Sequence, residues 1–382
     1  MNKKQYTGLV LAGMALLCLS GCKHGSGRTL TSATGSVYEC LVVMQNNALT
    51  QDERNEINRY SLVDGASGYS EPIATTYDLV SAVMAAPMPC LPQVEPYFKL
   101  TQVAPIAFDD MLKPTRNILF VDIDASRYTQ TKAKVSTNYW SQPQAVYRVQ
   151  TPSQSEFVAY WLAHGSEVRD WFVEQEIQRQ MRFYRASTNK QARTVLDRQM
   201  HCDMLVPEDY MVIMDTTLLM KNEESKTKGY MPDNEVQLLW CCNSKGTMRR
   251  DLVVYSYPYT DPQTFTADFL NRRRDEVLGH VVTATVEGSR MGTEYRVIPP
   301  EMREITVQQG QYAAEVRGLW KMLGGEAMGG PYVSLTRLDQ VNGNIITAEA
   351  FIYGPGQKKR TALRQSEAIL HTLVLPIDTV AP

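Results

Sequence analysis

Two stretches of this sequence share one pattern so closely that any fold for the chain must accommodate it twice. Val236 to Pro258 (VQLLWCCNSKGTMRRDLVVYSYP) and Val333 to Pro355 (VSLTRLDQVNGNIITAEAFIYGP) align over 23 residues without a gap. In each, an apolar run enters a polar turn with Gly246 or Gly343 at the same place, and a second apolar run ends in tyrosine and proline. Lys-Gly and Asn-Gly suit a hairpin, because glycine adopts the positive φ that tight turns require. Helical spacing follows each pair, over Gln263 to Leu278 and Lys359 to Leu373. A looser third copy runs from Ala145-Val146-Tyr147 through Phe157 to Trp161-Leu162, with Asn117 to Asp124 as its incoming strand. A further strand precedes each copy, at Tyr97 to Ala104, Asp209 to Thr216 and Gln311 to Leu319. The expectation is an α+β fold: mainly antiparallel sheets with packed helices, built from two or three strand–strand–helix repeat units. The longest helix is expected from Ser155 to Arg185, where Phe157, Trp161, Val168, Phe172 and Ile177 recur near 3.6-residue spacing and His164-Gly165 marks a point of interruption.

The amino terminus is a separate element. Lys3 and Lys4 precede the apolar run Leu9 to Leu19, which has signal-peptide length and is short for a membrane span. The run ends in Leu19-Ser20-Gly21-Cys22, a pattern that resembles the lipobox of bacterial lipoproteins, in which the cysteine thiol receives diacylglycerol. The expected organisation is a signal peptide over 1–21, a flexible tether over 22–36 after lipidated Cys22, an N-terminal α+β unit over 37–200, and a C-terminal α+β unit over 201–382 holding the two hairpin–helix repeats. The tether, Gly-, Ser- and Thr-rich, has a reach of about 20 Å. It carries no acid before Glu39, which favours the periplasmic side of the outer membrane over surface export.

Removing residues 1–21 deletes two lysines and moves the formal charge from −2 to −4. That near-neutral balance gives no reason to expect a nucleic-acid partner. Beyond Cys18 and Cys22, the chain holds Cys40, Cys90, Cys202, Cys241 and Cys242. They are expected as buried thiols acting as small hydrophobes, with Cys241 and Cys242 on opposite faces of one strand.

Chemistry is sparse. No H-E-x-x-H, G-x-S-x-G or phosphate-cradling glycine loop is present, so no catalytic residue, metal ligand or cofactor is assigned. His201-Cys202-Asp203 places three competent side chains side by side, but sequence neighbours seldom converge on one atom. Two loops stand out as candidate ligand sites. One is Gly324 to Pro331, with Trp320 before it and Gly329 and Gly330 within it; glycines let a backbone approach a ligand closely. The other is Gly354 to Arg360, where Lys358, Lys359 and Arg360 open a helix whose free N–H groups suit an anion. Glu95 and Arg116 are the charges expected to form a buried ion pair, with Glu95 the acid–base candidate should it lie in a cleft.

Taken together, the lipobox at Cys22, Leu91-Pro92-Gln93 with Glu95-Pro96, Arg116 to Leu119, Gly318-Leu319-Trp320, Met328 to Pro331 and Lys359-Arg360 resemble an uncharacterised family of Bacteroidetes-type lipoproteins defined only as a domain of unknown function. The resemblance spans roughly Val37 to Leu375 and implies location and architecture, not activity. The function expected is that of a membrane-anchored envelope lipoprotein, a non-enzymatic binding or scaffolding protein in the periplasm. It would touch the membrane through the lipid on Cys22 and engage an envelope protein partner. The alternatives are a periplasmic hydrolase using carboxylates and a carrier of hydrophobic ligands.

Overall fold

Two sheets of different construction organise the chain. The computed structural model describes residues 30–63, 73–220, 234–307 and 310–379. The expected signal peptide and Cys22 lie outside these residues. The first sheet contains β2 (Glu39–Met44), β3 (Lys99–Val103), β4 (Asn117–Ile123), β5 (Lys132–Thr137) and β7 (Ala145–Thr151), in the order β3-β2-β4-β7-β5. Its first four strands are parallel and only β5 runs antiparallel. Parallel pairing needs crossovers. Helices α1 (Gln51–Val63) and α2 (Thr76–Met84) supply one between β2 and β3, and α3 (Gln154–Tyr184) leaves β7. Thr75 starts α2 with a capping box shared with Asp78.

These helices cover one face of the sheet. Val42, Met44, Leu119, Val121 and Val149 meet Leu79, Val80, Phe157, Trp161 and Phe172 there, all buried. The alternate residues Leu41, Val43, Ile118, Phe120 and Val146 point to the other face, where Val103, Phe108, Leu112 and Trp140 pack on them.

The second sheet is eight-stranded and antiparallel. It comprises β8 (Met211–Met220), β9 (Asn234–Asn243), β10 (Arg249–Pro258), β11 (Arg290–Glu294), β12 (Glu301–Thr306), β13 (Tyr312–Leu323), β14 (Gly329–Asp339) and β15 (Asn344–Tyr353). The order is β11-β13-β14-β15-β10-β9-β8, with β12 also on β13. One face packs on α4 (Lys190–Met200), α6 (Arg360–Leu370) and, through α6, on α3, so a single core runs from the first sheet through these helices to the second. The opposite face holds a separate core under α5 (Ala267–Val281). The fold is α+β with mostly antiparallel sheets, as expected.

Several expectations need correction. Both predicted hairpins form, turning at Gly246 (φ 86°) and Gly343 (φ 67°). Yet residues that align in sequence face opposite sides of the sheet. Val236, Leu238 and Val253 belong to the core under α5, whereas their counterparts Val333, Leu335 and Ala350 belong to the core under α6. Side chains alternate along a strand, so a one-residue offset reverses every face; the two helices that follow accordingly lie on opposite faces. The third copy is no hairpin at all, because β4 and β7 pair in parallel. His164-Gly165 does not interrupt α3; Gly165 lies against the Trp161 ring, where a Cβ would come within 3.0 Å of its Nε1. The expected tether ends earlier than 36, since β1 (Thr31–Ser32) pairs with β6 (Ser141–Gln142) and Thr34 donates its N–H to Pro114 at 2.9 Å. Helix α4 packs on β8 and β9, which places it with the C-terminal sheet rather than with residues 37–200.

Candidate functional site: a polar cleft beside helix α5

The residues singled out by sequence are structural where the geometry brings them together. Glu95 is buried and accepts the backbone N–H groups of Lys359 (2.6 Å) and Arg360 (3.2 Å). Its carboxylate thus occupies the helix N-terminus expected to take an anion, where unpaired N–H groups and the helix dipole favour negative charge. Arg360 donates Nη1 to the Pro96 carbonyl at 2.8 Å, and Lys359 donates Nζ to the Gln357 carbonyl at 2.7 Å. Burial lowers the pKa of both cations, with Glu95 opposing the shift. Lys358 points into solvent.

The ion pair expected between Glu95 and Arg116 does not form. Arg116 instead grips Glu176 of α3 with Nε at 2.8 Å and Nη2 at 2.6 Å. Arg179 and Asn117 complete that cluster, and desolvation draws the Arg179 guanidinium down to about 10. Trp320 is buried, donating Nε1 to the Ile352 carbonyl at 3.2 Å, and Gly329 and Gly330 lie opposite Lys321 and Trp320 in the ladder of β13 and β14. A Cβ on Gly330 would stand 2.0 Å from the Ile352 oxygen. These glycines serve the close packing of strands.

Between α6 and β13, Glu315 and Glu367 come together with His371, their potential ligand atoms within 4.8 Å of one another. Arginine already holds both carboxylates. Arg303 and Arg317 reach Glu315 at 2.6 and 2.8 Å, while Arg364 and Arg317 bind Glu367. Three cations for two anions make the cluster a poor host for a metal ion. The arginines also hold Glu315 well below the usual carboxylate range despite its burial.

A cleft missed by sequence reasoning lies on the far face of the second sheet. Asp268, Arg272, Asp275 and Gly279 follow one another at intervals of four, three and four, which places them on one side of α5. Thr266 caps the helix through the Phe269 N–H. Across from them, β11 contributes Arg290, Met291 and Gly292, and Tyr295 follows; together they line an open cleft of about 700 Å³. The helix can approach so closely because Gly279 faces the Met291 carbonyl, 3.1 Å from where a Cβ would sit.

Asp275 is the best-oriented group in this cleft. Thr293 donates its hydroxyl to one carboxylate oxygen at 2.6 Å and Tyr295 donates to the other at 2.9 Å. Beneath it, Arg274 is clamped to the fully buried Glu349 through Nε (3.0 and 2.9 Å) and Nη2 (2.7 Å), and it lies 3.8 Å above the Tyr332 ring. Burial raises the Glu349 carboxyl above its ordinary value, with Arg274 opposing the rise, while Glu349 holds Arg274 charged. Burial and the neighbouring Asp275 carboxylate raise Tyr295, keeping its phenol a donor. The remaining lining mixes signs, with Asp268 paired to Arg272 and Glu276 paired to Arg273. A second open cleft, of about 670 Å³, lies between the end of α3 and β10 and is lined by Phe183, Tyr184, Tyr210, Arg250 and Gln365 among others. Both are open to solvent and combine charged with apolar side chains.

The cysteines behave as expected of buried thiols: Cys40, Cys90, Cys202, Cys241 and Cys242 are all free and buried. Desolvation lifts Cys90 and Cys242 to about 11, and Cys202 and Cys241 to about 12.

Comparison with known proteins divides the chain where its two sheets divide. Residues 55–185 match a family described as a domain of unknown function, DUF8532, and residues 188–372 match another, DUF4837. A search of the curated proteins finds no match. The junction between the two matches falls between α3 and α4, so the first covers the parallel sheet from β3 onward with its helices, without β2, and the second the antiparallel sheet with α4, α5 and α6. The chain is therefore similar to two domains of unknown function in succession, one over residues 55–185 and the other over residues 188–372.

Proposed function

We propose that this protein is a lipoprotein of the bacterial envelope, anchored through Cys22 at the outer membrane and facing the periplasm, and that its folded body acts by binding. The cleft beside α5 is the binding site. Asp275 is held there in one orientation by Thr293 and Tyr295, a geometry suited to an amine or guanidinium group on a partner.

The observation that carries binding over catalysis is how the buried carboxylates are used. Among the described residues, buried Glu176, Asp251, Glu315, Glu349, Glu367 and Asp378 are each paired with arginine, Glu95 is held by a helix N-terminus, and Glu53 and Asp339 are held by backbone N–H and side-chain amide donors. A hydrolase would need an acid and a base facing each other across the cleft. Glu349, the carboxyl that burial raises, has no exposed surface and is gripped by Arg274 on both oxygens.

The test is a photo-crosslinking amino acid placed in the full-length protein in intact cells, at His280 on the cleft rim or at Lys190 on a remote surface. A crosslinked product from position 280, absent from position 190 and lost with Asp275→Ala, is expected. Equal products from both positions, or none from 280, would count against the cleft. Fatty-acid labelling that is equal in wild type and Cys22→Ala would remove the anchor.

A further inference from the structure

We infer that the outer face of the five-stranded sheet lies against the membrane, with Ile106, Met111 and Tyr139 entering the lipid headgroup region. This rests on the anchor at Cys22 proposed above. Beyond that, it draws on where the chain enters the fold and on what surrounds the entry point.

That face is thinly covered. The connection from β3 to β4 crosses it without an α-helix, with only a short 3-10 turn at Pro105–Ala107. Phe108 and Trp140 pack on Phe120 with ring centroids 5.0 and 6.1 Å away. Around this small cluster, Ile106 is 97% exposed, Met111 85% and Tyr139 61%. Exposed apolar side chains that flank an aromatic cluster, as Tyr139 flanks Trp140, are what an interaction surface offers.

The N-terminal segment joins the body beside this cluster. Strand β1 pairs with Ser141–Gln142, directly after Tyr139-Trp140, and Thr34 is hydrogen-bonded on both sides, donating to Pro114 and accepting from Arg116. From Cys22 to Thr31 is nine residues. Fully extended they span roughly 30 Å, and as a flexible coil nearer to about 17 Å. A body held so closely turns its attachment point towards the bilayer; Met111 lies three residues before Pro114 and Tyr139 two before Ser141, while Ile106 follows β3 at the other edge of the same sheet.

The charges agree with a lipid occupant. Lys132 and Lys134 of β5 pair opposite Gln150 and Arg148 and so share the face of Phe120, over which Arg148 lies at 4.0 Å. Of the acids nearby, Asp110 is paired with Lys113, Asp122 with Arg127, and Asp109 accepts the N–H groups of Met111 and Leu112. Cations beside an apolar and aromatic rim are the pattern that anionic headgroups attract.

The experiment uses full-length lipidated protein in phosphatidylethanolamine–phosphatidylglycerol vesicles containing a headgroup-level nitroxide lipid. A bimane label is placed in turn at I106C, M111C, Y139C and V286C, position 286 lying beside the distant α5. Mass spectrometry of the N-terminal peptide reads the lipid on Cys22 in each sample. Expected are strong quenching and a blue shift at 106, 111 and 139, little change at 286, and weaker quenching at 111 when Ile106→Asp is added. Absence of quenching at all three positions in chains that carry the lipid would overturn the membrane face while leaving the anchor standing. Protection of these positions in native envelopes but not in vesicles would assign the face to a protein instead, and also overturn it. An unmodified Cys22 would refute the anchor and the orientation derived from it.

Discussion

Replacing Arg274 by methionine isolates what a buried ion pair contributes here. The guanidinium makes three bonds of 2.7 to 3.0 Å to Glu349 and one of 3.0 Å to Thr293, in a place where both partners are almost wholly enclosed. Methionine fills much of the stem volume but leaves Glu349 as an unpaired buried charge, which costs about 3–5 kcal/mol. For a unit of this size that is a fall in Tm of roughly 6–20 °C. The loss should depend on pH with a definite sign. Without Arg274, burial and then the nearby Asp275 charge both act to raise Glu349, so its folded pKa stands above its unfolded value of about 4.3. The penalty is therefore smallest below that value, where the carboxyl is neutral in both states, and grows as pH rises through the folded pKa. Urea unfolding of wild type, Arg274→Met and Arg274→Met/Glu349→Leu across pH 4 to 8 reads all of this. The double variant removes the stranded charge and should recover most of the stability, since an apolar pair of similar volume often equals a buried salt bridge. A single variant within about 1 kcal/mol of wild type at pH 7, or a deficit that widens as pH falls, would refute the reasoning.

Three further outcomes follow from particular contacts. Gly330→Ala drives a Cβ to within 2.0 Å of the Ile352 carbonyl, so β14 must part from its neighbour at a cost of about 3 kcal/mol or more, seen as a lower urea midpoint; an unchanged midpoint would place the strand elsewhere. Glu95→Ala removes the acceptor at the start of α6 and should cost about 0.5–2 kcal/mol, with Glu95→Gln costing less because its amide oxygen still accepts; equal losses would mean that shape rather than hydrogen bonding matters. Cys40, Cys90, Cys202, Cys241 and Cys242 should resist a thiol reagent at pH 8 in the folded protein and react together in denaturant, because burial holds them as neutral thiols; rapid labelling of Cys241 alone would show β9 open to solvent.

What could be read from the sequence followed the reach of the signal. The hairpin turns were visible because Gly246 and Gly343 meet a local need for positive φ. Helix α3 was visible because its apolar residues repeat with the helix period over its 31 residues. Parallel pairing of β4 with β7 was not, since NILFVDI reads the same whichever way its neighbour runs. Glu95 and the start of α6 were each singled out, but their partnership joins residues 264 apart. The cleft beside α5 left only a faint trace. A polar stripe of Asp268, Arg272 and Asp275 is what any solvated helix face shows, and nothing local says that a strand lies across from it.

The two matching hairpins show why pattern alone does not establish equivalence. In a half-exposed sheet, alternation of polar and apolar residues would fix which residues face inward, and a one-residue offset between copies would stand out. Here both faces of the second sheet are covered, by α4 and α6 on one side and α5 on the other, so β10 and β15 are buried along nearly their whole length and show no clean polar–apolar alternation. Such strands align well in either phase. The gapless alignment took the phase that matches Gly246 with Gly343 and Pro258 with Pro355, yet in the structure this sets Val253, under α5, against Ala350, under α6. Shifting one copy by a single residue would restore matching faces and lose the matching turns. The turns, then, determine how the sequences align, and the two-sided burial is what leaves the faces free to disagree.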